Sequence, residues 1–173
     1  VFTYDKRDDR IWTEDANHHF FGTAYDSMRR VTHTYSFQGA NPTSLADAIA
    51  AVGSTANPAH AALVDSATTY DIYGNKASET DAMGRSRYFA YGGFGRLVAQ
   101  TDEGGRVATF GYDHFGRLIE QKNASSLQNI VRSYDDAGRM TQVTDSATGV
   151  STAYTFDAGG NRRHETVTAL DFS

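Results

Sequence analysis

The sequence predicts a mainly β chain, an array of β-hairpins running through an antiparallel sheet, and three observations predict it. First, an aromatic-Asp pair returns at a nearly fixed interval. Tyr70-Asp71, Tyr91-Gly92, Tyr112-Asp113, Tyr134-Asp135 and Phe156-Asp157 are separated by 21, 21, 22 and 22 residues, and Tyr4-Asp5 and Tyr25-Asp26 lie another 21 apart. A constant period means one supersecondary unit stamped out repeatedly, whose copies must stack to bury their apolar faces. Second, Asp-x-x-Gly begins at Asp71, Asp81, Asp102, Asp113, Asp135 and Asp157. A turn roughly every eleven residues leaves room only for short strands. Third, the segments between turns are rich in β-branched and aromatic residues.

Residues 107–127 illustrate one repeat. Val107 to Tyr112 reads as a strand, Asp113-His114-Phe115-Gly116 as a turn, and Arg117 to Gln121 as the return strand. Asp accepts backbone N–H groups at the first turn position, and Gly supplies the left-handed residue that closes the loop. The same reading assigns turn roles to Asp71 with Gly74, Gly95 with Arg96, Asp135 with Gly138 and Arg139, and Asp157. Tyr91-Gly92-Gly93-Phe94-Gly95 keeps the glycine but replaces the Asp, and Asp145 to Gly149 carries one extra residue. Alternation puts Phe2 with Tyr4, Phe89 with Tyr91, Phe110 with Tyr112, and Tyr154 with Phe156 on a common face. Stacked in register, these pairs are expected to form aromatic ladders on one face, with a polar opposite face.

The period breaks once, between Tyr25 and Tyr70, a gap of 45 residues. Val31 to Phe37 still alternates, and Ala67 to Tyr70 resumes the pattern. Between them the composition turns alanine-rich. Asn41 to Gly53 has capping residues, a helix-forming body and a terminal Gly, and Pro58 opens a second helical stretch over Ala59 to Val64. Residues 38–65 are therefore expected to be a small helical insertion. Leu45, Ile49 and Val52 share one helical face, the expected contact with the sheet or a partner. The whole of residues 1–173, with the insertion within it, is expected to be a single domain.

Bulk composition excludes several classes. Of 173 residues, 39% are hydrophobic and 21% charged, which disfavours disorder. The net charge of −5, with basic residues spread along the repeats, excludes a concentrated nucleic-acid surface. No cysteine is present, so disulfides and thiolate metal sites are excluded. No apolar run approaches the roughly 18 residues of a membrane span. The chain starts at Val1 and ends in an ordinary stretch, and is expected to be cut from a longer polypeptide.

The pattern Tyr-Asp-x-x-Gly-Arg-Leu, from Tyr112 to Leu118 and less completely from Tyr134 to Met140, resembles the YD repeat of the Rhs family. The resemblance covers about residues 1–37 and 66–168. It implies a sheet that curves and spirals into the wall of a hollow shell, as in Rhs toxins, toxin-complex components and teneurins. It further implies secretion or a bacterial cell-surface location. The implied partners are the rest of the parent protein and its cargo. A Pro-rich closing signature with Asp-Pro is lacking, so no self-cleaving aspartate is assigned.

The turn aspartates lack the spacing of an EF-hand or a nonapeptide β-roll, and turn capping accounts for them without a metal. Adjacent His18 and His19 point to opposite faces of a strand, and the other histidines have no paired spacing. Arg85, Arg96, Arg106, Arg117 and Arg139 recur with the repeat and are expected to pair across strands with the turn aspartates or with neighbours such as Glu120. No nucleophile elbow or phosphate loop is found. The sequence thus points to a structural, non-enzymatic shell segment without cofactor or metal, with self-association through unpaired edge strands. The alternative is a protein- or glycan-binding module using the 38–65 insertion.

Overall fold

A computed structural model of the chain describes residues 1–17, 19–37, 62–124 and 128–169. The chain forms two compact units, Val1–Tyr88 and Phe89–Ser173. Both are antiparallel meanders in which each strand pairs with the next in sequence, the order that short hairpin loops impose.

The first unit holds β1 (Phe2–Tyr4), β2 (Arg10–Glu14), β3 (Phe20–Tyr25), β4 (Val31–Phe37), β5 (Ala62–Tyr70) and β6 (Lys76–Asp81). It also holds the start of β7 (Ser86–Tyr91), which pairs with β6. Its core is small. Trp12 and Phe20 are buried, with Ile11 and Phe37 packed against them. Trp12 stacks on Phe37 with ring centroids 5.9 Å apart. Across the β2–β3 pair Trp12 faces Gly22. A Cβ there would sit 2.7 Å from the Trp12 ring, so only glycine lets the indole lie flat on the strand.

The second unit holds β8 (Leu97–Thr101), β9 (Val107–Tyr112), β10 (Leu118–Asn123), β11 (Gln128–Tyr134), β12 (Met140–Asp145), β13 (Val150–Phe156) and β14 (Arg162–Thr168). Its register sorts the side chains. Phe110, Gln121, Ile130, Asp145 and Val150 lie opposite one another in one row. By alternation Tyr112, Arg132, Tyr134, Val143, Tyr154 and Phe156 share that face. The row Gly111, Glu120, Val131, Thr144, Ser151, Thr168 faces the other way. One face is thus richer in aromatic and aliphatic residues and the other is mostly polar, although Asp145 and Val131 cross the divide. Hydroxyl pairs such as Thr144 with Ser151, 3.0 Å apart, tie strands together on the polar face.

Hairpins closed by the Tyr-Asp pair share one geometry. Tyr4 pairs with Arg10, Tyr25 with Val31, Tyr70 with Lys76, Tyr112 with Leu118, Tyr134 with Met140 and Phe156 with Arg162. A register shift follows immediately inside each of these pairs, the bulge that accompanies a left-handed residue at the end of a type I turn.

The 38–65 insertion is corrected at its C-terminal end. Ala62, Leu63 and Val64 belong to β5 and pair with Phe37, Ser36 and Tyr35. A short helical stretch carries a costly nucleus, whereas extending β5 adds ladder hydrogen bonds to β4 residue by residue. Leu45, Ile49 and Val52 lie outside the described residues. Helix among the described residues is confined to one 3-10 turn at Gly93–Gly95.

Candidate functional site

The recurrent Asp-x-x-Gly-Arg turn is the chemically distinctive feature, and Asp113 to Arg117 shows its construction. The Asp113 N–H donates to the Arg117 carbonyl at 3.0 Å, and the Gly116 N–H donates to the Asp113 carbonyl at 2.9 Å. Asp113 Oδ1 accepts the N–H groups of Phe115 (3.0 Å) and Arg117 (2.9 Å). Its second oxygen, Oδ2, accepts Arg117 Nε at 2.6 Å. One carboxylate thus holds the loop and aims the guanidinium. Asp135 with Arg139 repeats this at 2.7 Å, Asp26 with Arg30 at 2.7 Å, and Asp81 with Arg85 at 2.8 Å. Asp102 with Arg106 also repeats it at 2.8 Å. Asn75 and Asn161 stand in for Arg, and His19 for Arg beside Asp15.

From that position the guanidinium reaches the next hairpin. Arg117 Nη1 donates to the Asp135 carbonyl at 3.1 Å. Its Cζ lies 4.8 Å from the Tyr134 ring centroid and 5.1 Å from that of Phe115. Arg139 lies 4.7 Å from Phe156, Arg30 4.2 Å from Tyr70, and Arg96 5.9 Å from Tyr112. The tyrosines reach back in turn. The hydroxyl of Tyr134 donates to the Leu118 carbonyl, that of Tyr112 to Leu97, and that of Tyr70 to Val31, each at 2.9 Å. The turn glycine completes the nest. Gly116 has φ 84°, and a Cβ on it would meet Arg96 Nη2 at 2.7 Å. The backbone conformation favours glycine there, and a Cβ would also displace the end of the Arg96 side chain.

This arrangement corrects two sequence expectations. Arg85, Arg106, Arg117 and Arg139 do pair with turn aspartates, but each with the one four residues earlier in its own turn rather than across strands, and Arg96 has Gly92 in that place. The aromatic residues do not build a ring-on-ring ladder. Among the described residues the ring contacts are Trp12–Phe37, His33–Tyr35 and His114–Phe115, none of which joins the Tyr of one repeat to that of the next. Successive repeats lie two strands, about 10 Å, apart, too far for ring contact, and the guanidinium spans the gap.

The turn carboxylates are kept ionised. The Arg139 N–H draws the Asp135 carboxyl below its ordinary value of 3.8; loss of hydration opposes this, and the Arg139 guanidinium adds to it. At Asp113, loss of hydration is the largest influence and pushes upward, yet the Arg117 N–H and guanidinium together outweigh it. Carboxylates committed in this way are poor general bases and poor metal ligands. Among the described residues no three His, Asp or Glu side chains gather into a cation-binding group, and no helix is long and apolar enough to cross a membrane.

Of the residues singled out from sequence, the structure joins Asp113, Gly116 and Arg117 to Tyr134 and Asp135, and Asp135 and Arg139 to Phe156 and Asp157. Gly95 and Arg96 precede Tyr112 in the same way. Gly92, in the place of Asp, keeps the backbone closure to Arg96 at 2.8 Å. Sequence reasoning missed Arg7, Asp9, Arg29 and Arg30. An offset of four from Asp5 and Asp26 would have found Asp9 and Arg30.

Residues 91–126 and 133–170 match the model of the RHS Repeat family. No curated protein is matched. Among solved structures, the TcdB2-TccC3-Cdc42 crystal structure superposes with a TM-score of 0.70 at 16% identity, covering 98% of this chain and 9% of that one. TcdB2-TccC3 without its hypervariable C-terminal region gives 0.69 at 16% identity, over 99% and 9%. The Photorhabdus luminescens Tc holotoxin pore gives 0.67 at 15% identity, over 98% and 9%. The chain therefore spans about a tenth of the length of these solved chains. Residues 91–126 and 133–170 are thus RHS repeats, and the chain as a whole shares the fold of these Tc toxin chains.

Proposed function

We propose that this chain is a structural wall segment of an Rhs/YD-repeat shell that encapsulates or scaffolds a toxin or other cargo, in a secreted or surface-located bacterial assembly. The observation that carries the reading is the use made of Arg117, which Arg139 repeats. Its charge is spent on its own turn aspartate, its plane on the next repeat's aromatic ring, and its remaining N–H groups on the next turn's carbonyl. Side chains so committed serve continuity between repeats rather than turnover. The segment itself is read as non-enzymatic, with the rest of the parent polypeptide and its cargo as partners. The likeness to Tc toxin chains supports this reading at the level of fold.

The test uses the parent polypeptide carrying Arg96→Gln, Arg117→Gln and Arg139→Gln together. The expected result is that enclosed cargo, protease-resistant in the natural protein, becomes cleavable. Cargo that stays equally protected while the segment's own peptides become protease-sensitive would sink the proposal.

A further inference from the structure

The first junction is built differently from the four that a turn arginine makes. In four later turns the residue four after the Asp, or after Gly92, is Arg: Arg30, Arg96, Arg117 and Arg139 each reach forward to the next aromatic residue. In the Asp5 turn that residue is Asp9, and its side chain is only 4% exposed. In the following turn the place of the left-handed glycine is taken by Arg29, at φ 64°. Arg29 Nε donates to Asp9 Oδ1 at 2.5 Å. Arg7 Nη2 lies 3.4 Å from Asp9 Oδ2, and Arg7 Nη1 donates to the Asp26 carbonyl at 3.3 Å, the contact that Arg117 makes at Asp135. Arg7 thus keeps a forward contact, and to it is added an ion pair that runs the other way, from Arg29 of the second turn back to Asp9 of the first.

We propose that Asp9 and Arg29 form a junction of reversed polarity that specifies which hairpin stands beside the first. A side chain other than Gly, Asn or Asp in the left-handed region carries a backbone penalty, so Arg29 is retained there against local preference. A buried carboxylate must be compensated by a cation. Turns with Gly74, Gly116, Gly138 or Gly160 in that place supply none. Any of them beside the first hairpin would leave Asp9 with Arg7 alone. The forward junctions are interchangeable with one another, and the reversed one is not. Mismatch of this kind is how a repetitive stack rejects a slipped register.

The test is denaturation of the 173-residue chain bearing Asp9→Arg, Arg29→Gly, or both. Each single substitution is expected to lower the urea midpoint, Asp9→Arg the more because it sets a third cation beside Arg7 and Arg29. The double substitution restores the forward arrangement, with a guanidinium able to bind Asp5 and a glycine suited to φ 64°, and is expected to recover the lost midpoint. A double variant no more stable than the weaker single overturns the proposal. So does Arg29→Gly that raises the midpoint, since backbone relief alone would then decide. Where Asp9→Arg fails to fold, amide exchange in Arg29→Gly decides. The Asp9, Met28 and Arg30 N–H groups should exchange at least tenfold faster while those of the Asp113 turn are unchanged. A uniform change, or none, overturns it.

Discussion

Arg117 holds four partners at once: Asp113 through Nε, the Asp135 carbonyl through Nη1, and the Tyr134 and Phe115 rings. A lysine could supply the charge but not the planar fork that meets carboxylate, carbonyl and ring together. The tyrosine has an equally specific job, since its hydroxyl closes the junction from the other side. Phe156 is the one member of the second unit's series without that hydroxyl. Its place matches Tyr134, whose hydroxyl meets Leu118 in the residue after Arg117; the corresponding acceptor is the Met140 carbonyl. Phe156→Tyr is therefore expected to stabilise the chain by about 0.5–1 kcal/mol, the net worth of one intramolecular hydrogen bond. Urea denaturation checks this, and an unchanged or lowered midpoint contradicts it.

Turns respond to acid and strands to association. Turn carboxylates such as Asp26, Asp102 and Asp135 are held below the ordinary value of 3.8, led in each by the N–H of the Arg four residues on. A folded value below the unfolded one means that the contribution is complete above 3.8 and is lost as pH falls through the folded values. The urea midpoint should be flat from neutral pH down to that range and then fall. Asp113→Asn and Asp135→Asn should flatten the fall, and a decline beginning near pH 6 would contradict the assignment. Among the described residues of the second unit β14 pairs only with β13 and is exposed along its length, with Val167 63% exposed. Open edges invite pairing. Val167→Lys should reduce self-association in sedimentation at high concentration, and a chain already monomeric there contradicts the expectation.

For the molecule as a whole, what was legible in the sequence was periodic. Turn places, strand spacing and the two-faced pattern of the second unit follow from Asp-x-x-Gly and alternation, which are local rules. What was not legible was contact between repeats. Ladder reasoning assigned the tyrosines to one another, because spacing within a strand says nothing of the distance between alternate strands. The role of Arg117 depends on a neighbour 17 residues later, Tyr134. Asp9 and Arg29 broke the local rule in two places at once, which the repeat alone could not explain. Ala62 to Val64 were misassigned because alanine-rich composition outweighed strand pairing that only the fold supplies.

The central claim is that Arg30, Arg96, Arg117 and Arg139 each tie their turn to the next aromatic residue. A double-mutant cycle on Arg117→Gln and Tyr134→Leu, read by urea denaturation of the chain, tests it most directly. A coupling of about 0.5–2 kcal/mol is predicted for a partly buried cation–π contact backed by a shared hydrogen-bonded turn. Effects that simply add, with no coupling between the two substitutions, would contradict the account.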